Sequence, residues 1–263
     1  MECKVSAFSR AGGRERNEDS CGYLQEKGIV CCVLADGAGG HGGGDVASRV
    51  AVDAVLKEFA ARPEASASAL ESLLCAANAA VLKQQAGQPE LADMRSTLVV
   101  LVFDPASRTA VWGHVGDSRL YLFRHGTTLY RTRDHSLVQS MVDGGLLSAQ
   151  EALTHPERNV LIASIGSQES FLPSVVERAV TLKDGDAFLL CSDGCWNLLD
   201  DIAIENALME SASPDAWLNR MEELVGAQVK EGSDNYSAIG VWCGEVENTT
   251  VQRERGGSAL AAS

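Results

Sequence analysis

Positive charge is scarce in this chain: 22 Lys and Arg stand against 36 Asp and Glu over 263 residues, a formal charge of −14. Nucleic-acid and anionic-membrane surfaces are bound by clustered basic side chains, so both drop out as partners. Long apolar runs are missing as well. The longest, 29–35 and 98–103, fall far short of the ~20 residues that cross a bilayer, and no membrane insertion is expected. The opening MECKVSAFSRAGGRERNED has no apolar stretch of the kind a secretory signal needs. Among the eight cysteines there is no CxxC pair, and several lie inside apolar strand-like runs. Reduced thiols and a cytoplasmic location follow as expectations. A Cys-based phosphatase is excluded, because no cysteine has an arginine six residues on to form the phosphate loop that such chemistry uses.

What is present is an ordinary globular composition, 45% hydrophobic and 22% charged. Residues 1–245 read as one continuous domain. The last stretch, 246–263, is small and polar without apolar periodicity and reads as a disordered tail. Apolar alternation predicts strands over 4–9, 20–25, 29–34, 96–103, 109–114, 120–124, 128–133, 174–182, 187–191 and 237–243. Helical spacing predicts helices over 45–60, 65–85, 136–142, 148–153, 201–210 and 214–230. Asp104-Pro105 and His125-Gly126 mark turns between successive strands. Strands in clusters and helices in pairs predict α+β architecture with antiparallel sheets covered by helices, rather than a parallel βαβ sheet.

The acids fall where apolar strands end. Asp36 follows IVCCVLA and opens Asp36-Gly37-Ala38; Asp193 follows AFLLCS; Asp117 lies between two strands; Asp234 and Asn235 precede the last strand; Glu18 and Asp19 precede the second. Any one Asp-Gly is a turn. Acids abutting several strands can instead converge at one sheet end, and convergence needs a counter-charge. Two carboxylates ~5 Å apart repel by about 3 kcal/mol at an effective dielectric of ~20. Oxygen donors without His or Cys select Mg²⁺ or Mn²⁺. A bridging carboxylate beside a glycine suits a two-metal site that activates a water toward phosphorus. Arg14, four residues before Glu18, carries the planar cation that forks onto phosphate oxygens.

Together these residues resemble the metal-dependent protein phosphatases of the 2C type in their compact bacterial form. The matching pieces occur in family order: Arg14-x-x-Asn17-Glu18-Asp19, Asp36-Gly37-x-Gly39-Gly40-His41, Ser96-Thr97, Gly116-Asp117-Ser118-Arg119, Asp134-His135-Ser136, His155-Pro156, Ser192-Asp193-Gly194 and Asp234-Asn235-x-Ser237. The resemblance implies a four-layer αββα sandwich, two antiparallel β-sheets flanked by helices, with two or three Mn²⁺ or Mg²⁺ at one end. Asp36 would bridge two ions, the Gly37 carbonyl would complete one shell, and Asp193 and Asp234 would hold the other ion. Glu18 and Asp19 would act directly or through water, Asp117 with Asp193 would make a third, weaker position, and Asn235 would orient a ligand. Arg14 would bind the phosphoryl group.

The reaction so implied is hydrolysis of phosphoserine or phosphothreonine by in-line attack of a metal-bridging hydroxide, without a phosphoenzyme. The partners implied are phosphorylated Ser/Thr proteins and a cognate Ser/Thr kinase, with the chain itself a monomer. One departure stands out: Ala38 occupies the place where eukaryotic members carry a His proposed as general acid, so no acid is assigned, and the role of His41 is open. Residues 133–166 match a helical hairpin and variable flap, and Gly144-Gly145 with the Ser-rich 163–170 suggest a mobile gate. Two other readings use the same fold: a pseudophosphatase acting as a binding module, and a phosphatase dedicated to one regulator. The first requires losses among the metal acids, and Asp36, Asp193 and Asp234 are all present.

Overall fold

The central strands of this protein are apolar on both faces because both faces are covered. The structure, a computed structural model, describes residues 1–38 and 43–244. Chain order is β1 (Cys3–Arg10), β2 (Asp19–Glu26), β3 (Ile29–Ala38), α1 (Gly44–Ala61), α2 (Ala67–Gly87), β4 (Arg95–Ser96), β5 (Leu98–Asp104), β6 (Thr109–Val115), β7 (Arg119–Arg124) and β8 (Thr127–Arg131). It continues with α3 (Leu137–Asp143), α4 (Ala149–Ala152), β9 (Ser174–Val175), β10 (Val180–Thr181), β11 (Asp186–Cys191), α5 (Asp193–Trp196), α6 (Asp201–Met209), α7 (Pro214–Gly226) and β12 (Tyr236–Cys243). One sheet runs β1-β12-β11-β7-β8 and the other β10-β6-β5-β3-β2, with β4 on β3 and β9 on β6; every pairing is antiparallel.

Alternation along each strand builds the layers. On β3, Cys31, Val33 and Ala35 pack with α1 and α2, while Val30, Cys32 and Leu34 face the opposite sheet. β5 divides likewise, with Leu98, Val100 and Val102 toward the helices and Val99, Leu101 and Phe103 inward. In the other sheet Tyr121, Leu189, Cys191 and Trp242 pack with Trp217, Leu218 and Met221 of α7, while Leu120, Phe188, Leu190 and Ile239 close the centre. Three apolar layers separated by two sheets make the αββα sandwich that the sequence reading expected. The turns follow their residues. Lys27 and Gly28 between β2 and β3, and His125 and Gly126 between β7 and β8, all have positive φ, the conformation of a type I′ hairpin.

Four local expectations are corrected. The strand read over 174–182 is two short pieces, β9 and β10. Five residue steps on this segment (175 to 180) oppose three on β6 (113 to 110), so the edge bulges at the charged pair Glu177 and Arg178. The strand read over 96–103 breaks at Thr97, whose amide turns to the Asp36 carbonyl at 2.8 Å. The helix read to 230 ends at Gly226, and Lys230–Ser233 then folds into a turn closed by the Ser233 hydroxyl on the Lys230 amide at 2.8 Å. Residues 163–170 are anchored where mobility was expected. Ala163 and Ile165 are buried, and the Asn78 side chain accepts the Gly166 amide at 2.7 Å and donates to Ser167 at 3.2 Å. The tail read over 246–263, like His41, lies outside the described residues.

Candidate active site

Register brings the acids to one end of the sandwich. Asp19, first residue of β2, is the cross-strand partner of Asp36 near the end of β3. In the other sheet the end of β1, the start of β12, the end of β11 and the start of β7 lie side by side, since Arg10 pairs with Tyr236, Ala238 with Cys191 and Cys191 with Arg119. Asp234, Asp193 and Asp117 flank those strand ends in sequence. The sheets are tied across this edge by Ser192, whose hydroxyl donates to Asp19 Oδ2 at 2.7 Å and accepts the Ser237 amide at 3.0 Å.

The backbone at Asp36 is held tightly. Its amide donates to Thr97 Oγ1 at 2.9 Å, and its carbonyl accepts the Thr97 amide at 2.8 Å and the Ser96 hydroxyl at 2.9 Å. Gly37 follows, with its amide on the Glu18 carbonyl at 3.1 Å. A Cβ there would lie 2.1 Å from the Gly44 carbonyl oxygen and 2.7 Å from that of Glu18, so only glycine lets β3, the Glu18 turn and the start of α1 meet. Gly194 plays the same part after Asp193, since a Cβ would lie 2.0 Å from the Asn235 carbonyl oxygen.

Burial and mutual repulsion push the carboxyls upward. Asp19 rises to about 6, mainly by burial, against opposing hydrogen bonds from Ser237 and Ser192. Asp193 rises to about 7, by burial and then by Asp234 and Asp19. Asp36 and Asp117 go well above the carboxylate range: burial leads in both, followed by Asp19 and Asp193 for Asp36 and by Asp193 and Asp134 for Asp117. Glu18 is raised by burial and by Asp45. Each of these carboxyls is thus raised by its neighbours' charges as well as by its own burial. Among the described residues no three His, Cys, Asp or Glu side chains already close into a metal cage. Yet Asp19 Oδ1 and Asp193 Oδ1 are buried with no hydrogen-bond partner. Hard, unpartnered oxygens beside repelling carboxyls fit Mg²⁺ or Mn²⁺.

Arg14 projects from the 11–18 loop and contacts Asp234 Oδ2 at 3.2 Å. That loop is clamped by Asn235, which is buried: its Oδ1 accepts the Glu18 amide at 2.8 Å, and its Nδ2 donates to the Ala11 and Arg16 carbonyls, each at 2.8 Å. The side chain expected to orient a ligand thus holds the backbone that presents Arg14 and Glu18. Asn235→Ala removes all three bonds. Metal activation about 10–100-fold weaker and a loss of about 2–3 kcal/mol in urea unfolding are expected; an unchanged Mn²⁺ titration would remove Asn235 from the site.

Thr97, Ser192 and the cluster around Arg119 had no assigned role in the sequence reading. Arg119 forms a two-point pair with Asp134 at 2.9 and 2.7 Å and lies 3.6 Å over the Trp196 ring. The Trp196 indole in turn donates to the Asp117 carbonyl at 3.0 Å. All but Trp196 fall within the quoted motif pieces; nothing local in the sequence distinguishes a hydroxyl that ties two sheets from one that caps a turn. Ala38 is exposed and supplies no proton donor.

The αββα sandwich thus carries acids and Arg14 together at one end of its strands. Residues 9–232 match the family model described as protein phosphatase 2C, and the chain belongs to that family. Serine/threonine protein phosphatase PstP of Mycobacterium tuberculosis is 35% identical over 199 residues, which cover 74% of this chain; the match spans only 36% of that relative's length. Serine/threonine phosphatase stp of Listeria innocua is 30% identical over 255 residues, 93% of this chain and 95% of the relative. The solved catalytic domain of PstP in complex with two manganese ions superposes with a TM-score of 0.78 at 29% identity, covering 92% of this chain and 99% of that one.

Proposed function

We propose that this chain is a metal-dependent protein serine/threonine phosphatase, and that Asp36, Gly37, Asp193 and Asp234, with Glu18, Asp19 and Asp117, hold two or three Mn²⁺ or Mg²⁺. The observation that carries the reading is the register that pairs Asp19 with Asp36 and brings the strand ends flanked by Asp117, Asp193 and Asp234 side by side, with unpartnered buried oxygens on Asp19 and Asp193. The manganese pair in the PstP domain supports the same assignment. Bound divalent ions neutralise the acids and lower the pKa of a coordinated water. The protein's own contribution is placement. Thr97 and Ser96 fix the Asp36 backbone, Ser192 fixes Asp19, and Asn235 fixes the loop from which Arg14 reaches a phosphoryl oxygen in place of Asp234. Attack by water in line with the leaving serine or threonine oxygen needs no covalent phosphoenzyme.

Substrates are phosphorylated Ser/Thr proteins, opposed by a cognate kinase, and the acidic surface favours basic residues near the phosphosite. We place the protein in the cytoplasm as a monomer; no helix among the described residues is long and apolar enough to cross a membrane. Clean protein is expected to hydrolyse p-nitrophenyl phosphate and a phosphothreonine peptide with Mn²⁺, and to stop on addition of EDTA. Folded protein without turnover in saturating Mn²⁺ would overturn the reading in favour of a binding module.

A further inference from the structure

At the end of the sandwich opposite the acids, two thiols face each other across the outermost strand pair. Cys3 of β1 and Cys243 of β12 are register partners. The Gly244 amide donates to the Glu2 carbonyl at 2.7 Å, one step outside the pair. In an antiparallel ladder that bond identifies Cys3 and Cys243 as a non-hydrogen-bonded pair, with Cα atoms about 4.5 Å apart and side chains on one face. The spacing falls inside the Cα range of about 4.4–6.8 Å that a disulfide spans. Both side chains point into the layer between the sheets, where Cys243 is fully buried and Cys3 packs at its margin.

We infer that Cys3 and Cys243 form a dithiol site that reacts with a low-molecular-weight disulfide and closes to a cross-strand disulfide. Access is from Cys3. It is half-buried and lines an open cavity of about 660 Å³ with Tyr23, Leu24, Val30 and Pro105, wide enough for a peptide-sized disulfide. The neighbouring Cys243 side chain holds the Cys3 thiol below its ordinary value, against burial and the nearby Asp184 and Glu2. Cys243 is itself pushed up by its neighbour Cys3 and by burial. Cys3, the thiol that reaches the cavity, is the attacking sulfur, and the buried Cys243 is the resolving one. Cys3 thiolate attacks one sulfur of the small disulfide and expels a small thiolate, which is protonated. Cys243 then loses its proton, attacks the Cys3 sulfur of the mixed disulfide and expels the second small thiol. Two protein thiols are oxidised, one small disulfide is reduced to two thiols, and no other reactant is consumed.

The bond would join β1, an edge strand, to β12 and close nearly the whole chain into one loop, which restricts the unfolded state most. Its distance from the acids is large: seven steps along β1 from Cys3 to Arg10 are about 23 Å. The link is therefore expected to stabilise without altering turnover.

The test uses the reduced protein carrying Cys75→Ser, which removes the exposed thiol on α2, treated with oxidised glutathione. Two thiols are expected to disappear with a mass loss of about 2 Da. Digestion should give a linked Cys3–Cys243 peptide, and the thermal midpoint should rise by about 5–10 °C, reversibly with dithiothreitol. Adding Cys243→Ser should arrest the reaction at a glutathione adduct on Cys3. A stable adduct on Cys3 with Cys243 intact, a link to Cys21 instead, or an inert Cys3 would each overturn the inference. Should the Cys243→Ser variant not fold, the peptide map of the Cys75→Ser protein decides alone.

Discussion

Asp36→Asn is expected to lower kcat/KM by at least about 10³-fold in saturating Mn²⁺, while the metal-free protein becomes more heat-stable than wild type. Both effects come from one charge. Asparagine keeps the shape and leaves the two backbone bonds to Thr97 in place, because they use the Asp36 amide and carbonyl rather than its side chain. It removes a carboxyl that is raised by the charges of Asp19, Asp193, Asp117 and Asp234. A loss of about 4 kcal/mol of transition-state stabilisation corresponds to that rate factor, and replacing a shared anionic ligand by a neutral amide is of that order. Stability moves the other way, since the repulsion that burial imposes on the remaining acids is relieved. Activity and stability are measured on the same preparation, so misfolding cannot imitate the result. A variant that keeps wild-type turnover would place the reacting centre elsewhere.

Much of the fold was legible because the physics that makes it is local. Cys31, Val33 and Ala35 alternate with Val30, Cys32 and Leu34 in a run apolar at every position, the mark of a strand with two covered faces. His125-Gly126 wrote its hairpin directly. The acids were legible as a set because each abuts a strand end. What could not be read depends on which strand lies beside which. Thr97 looks like one more β-branched strand residue, and only the pairing of β3 with β5 shows its hydroxyl taking the Asp36 amide. Ser192 joins two sheets far apart in sequence. The Ser-rich 163–170 suggested looseness, but its backbone is satisfied by Asn78 and Gln85 from α2, partners that composition does not reveal. The bulge at Glu177 and Arg178 is likewise decided by the edge the segment lies on, not by its apolar flanks.

Removing the metal is expected to invert the pH dependence of stability, and the sign follows from the raised carboxyls. A carboxyl whose native value lies above its unfolded one keeps its proton in the folded state after the unfolded chain has released it. Stability is then complete below the unfolded value near 4 and is lost as pH rises through the native value. Asp19 contributes up to about 6 and Asp193 up to about 7, and the raised Asp36 and Asp117 act in the same direction. For the buried Asp19 alone the change is about 3 kcal/mol. His114 and His135 oppose this at lower pH. Burial depresses both, His135 to about 4, so each adds stability as pH climbs toward the unfolded histidine value near 6.5. The exposed carboxyls of Asp104, Asp143 and Glu151 are lowered by hydrogen bonds from Ser107, Arg133 and Ser148, and they finish titrating in acid. The clean window is therefore pH 6.5 to 8, where the thermal midpoint of EDTA-treated protein should fall by on the order of 5 °C. With saturating Mn²⁺ the same acids are held ionised, protons compete with the metal, and the midpoint should rise across that window instead. Parallel curves with and without metal would mean that the carboxyls at the strand ends do not meet around a cation at all.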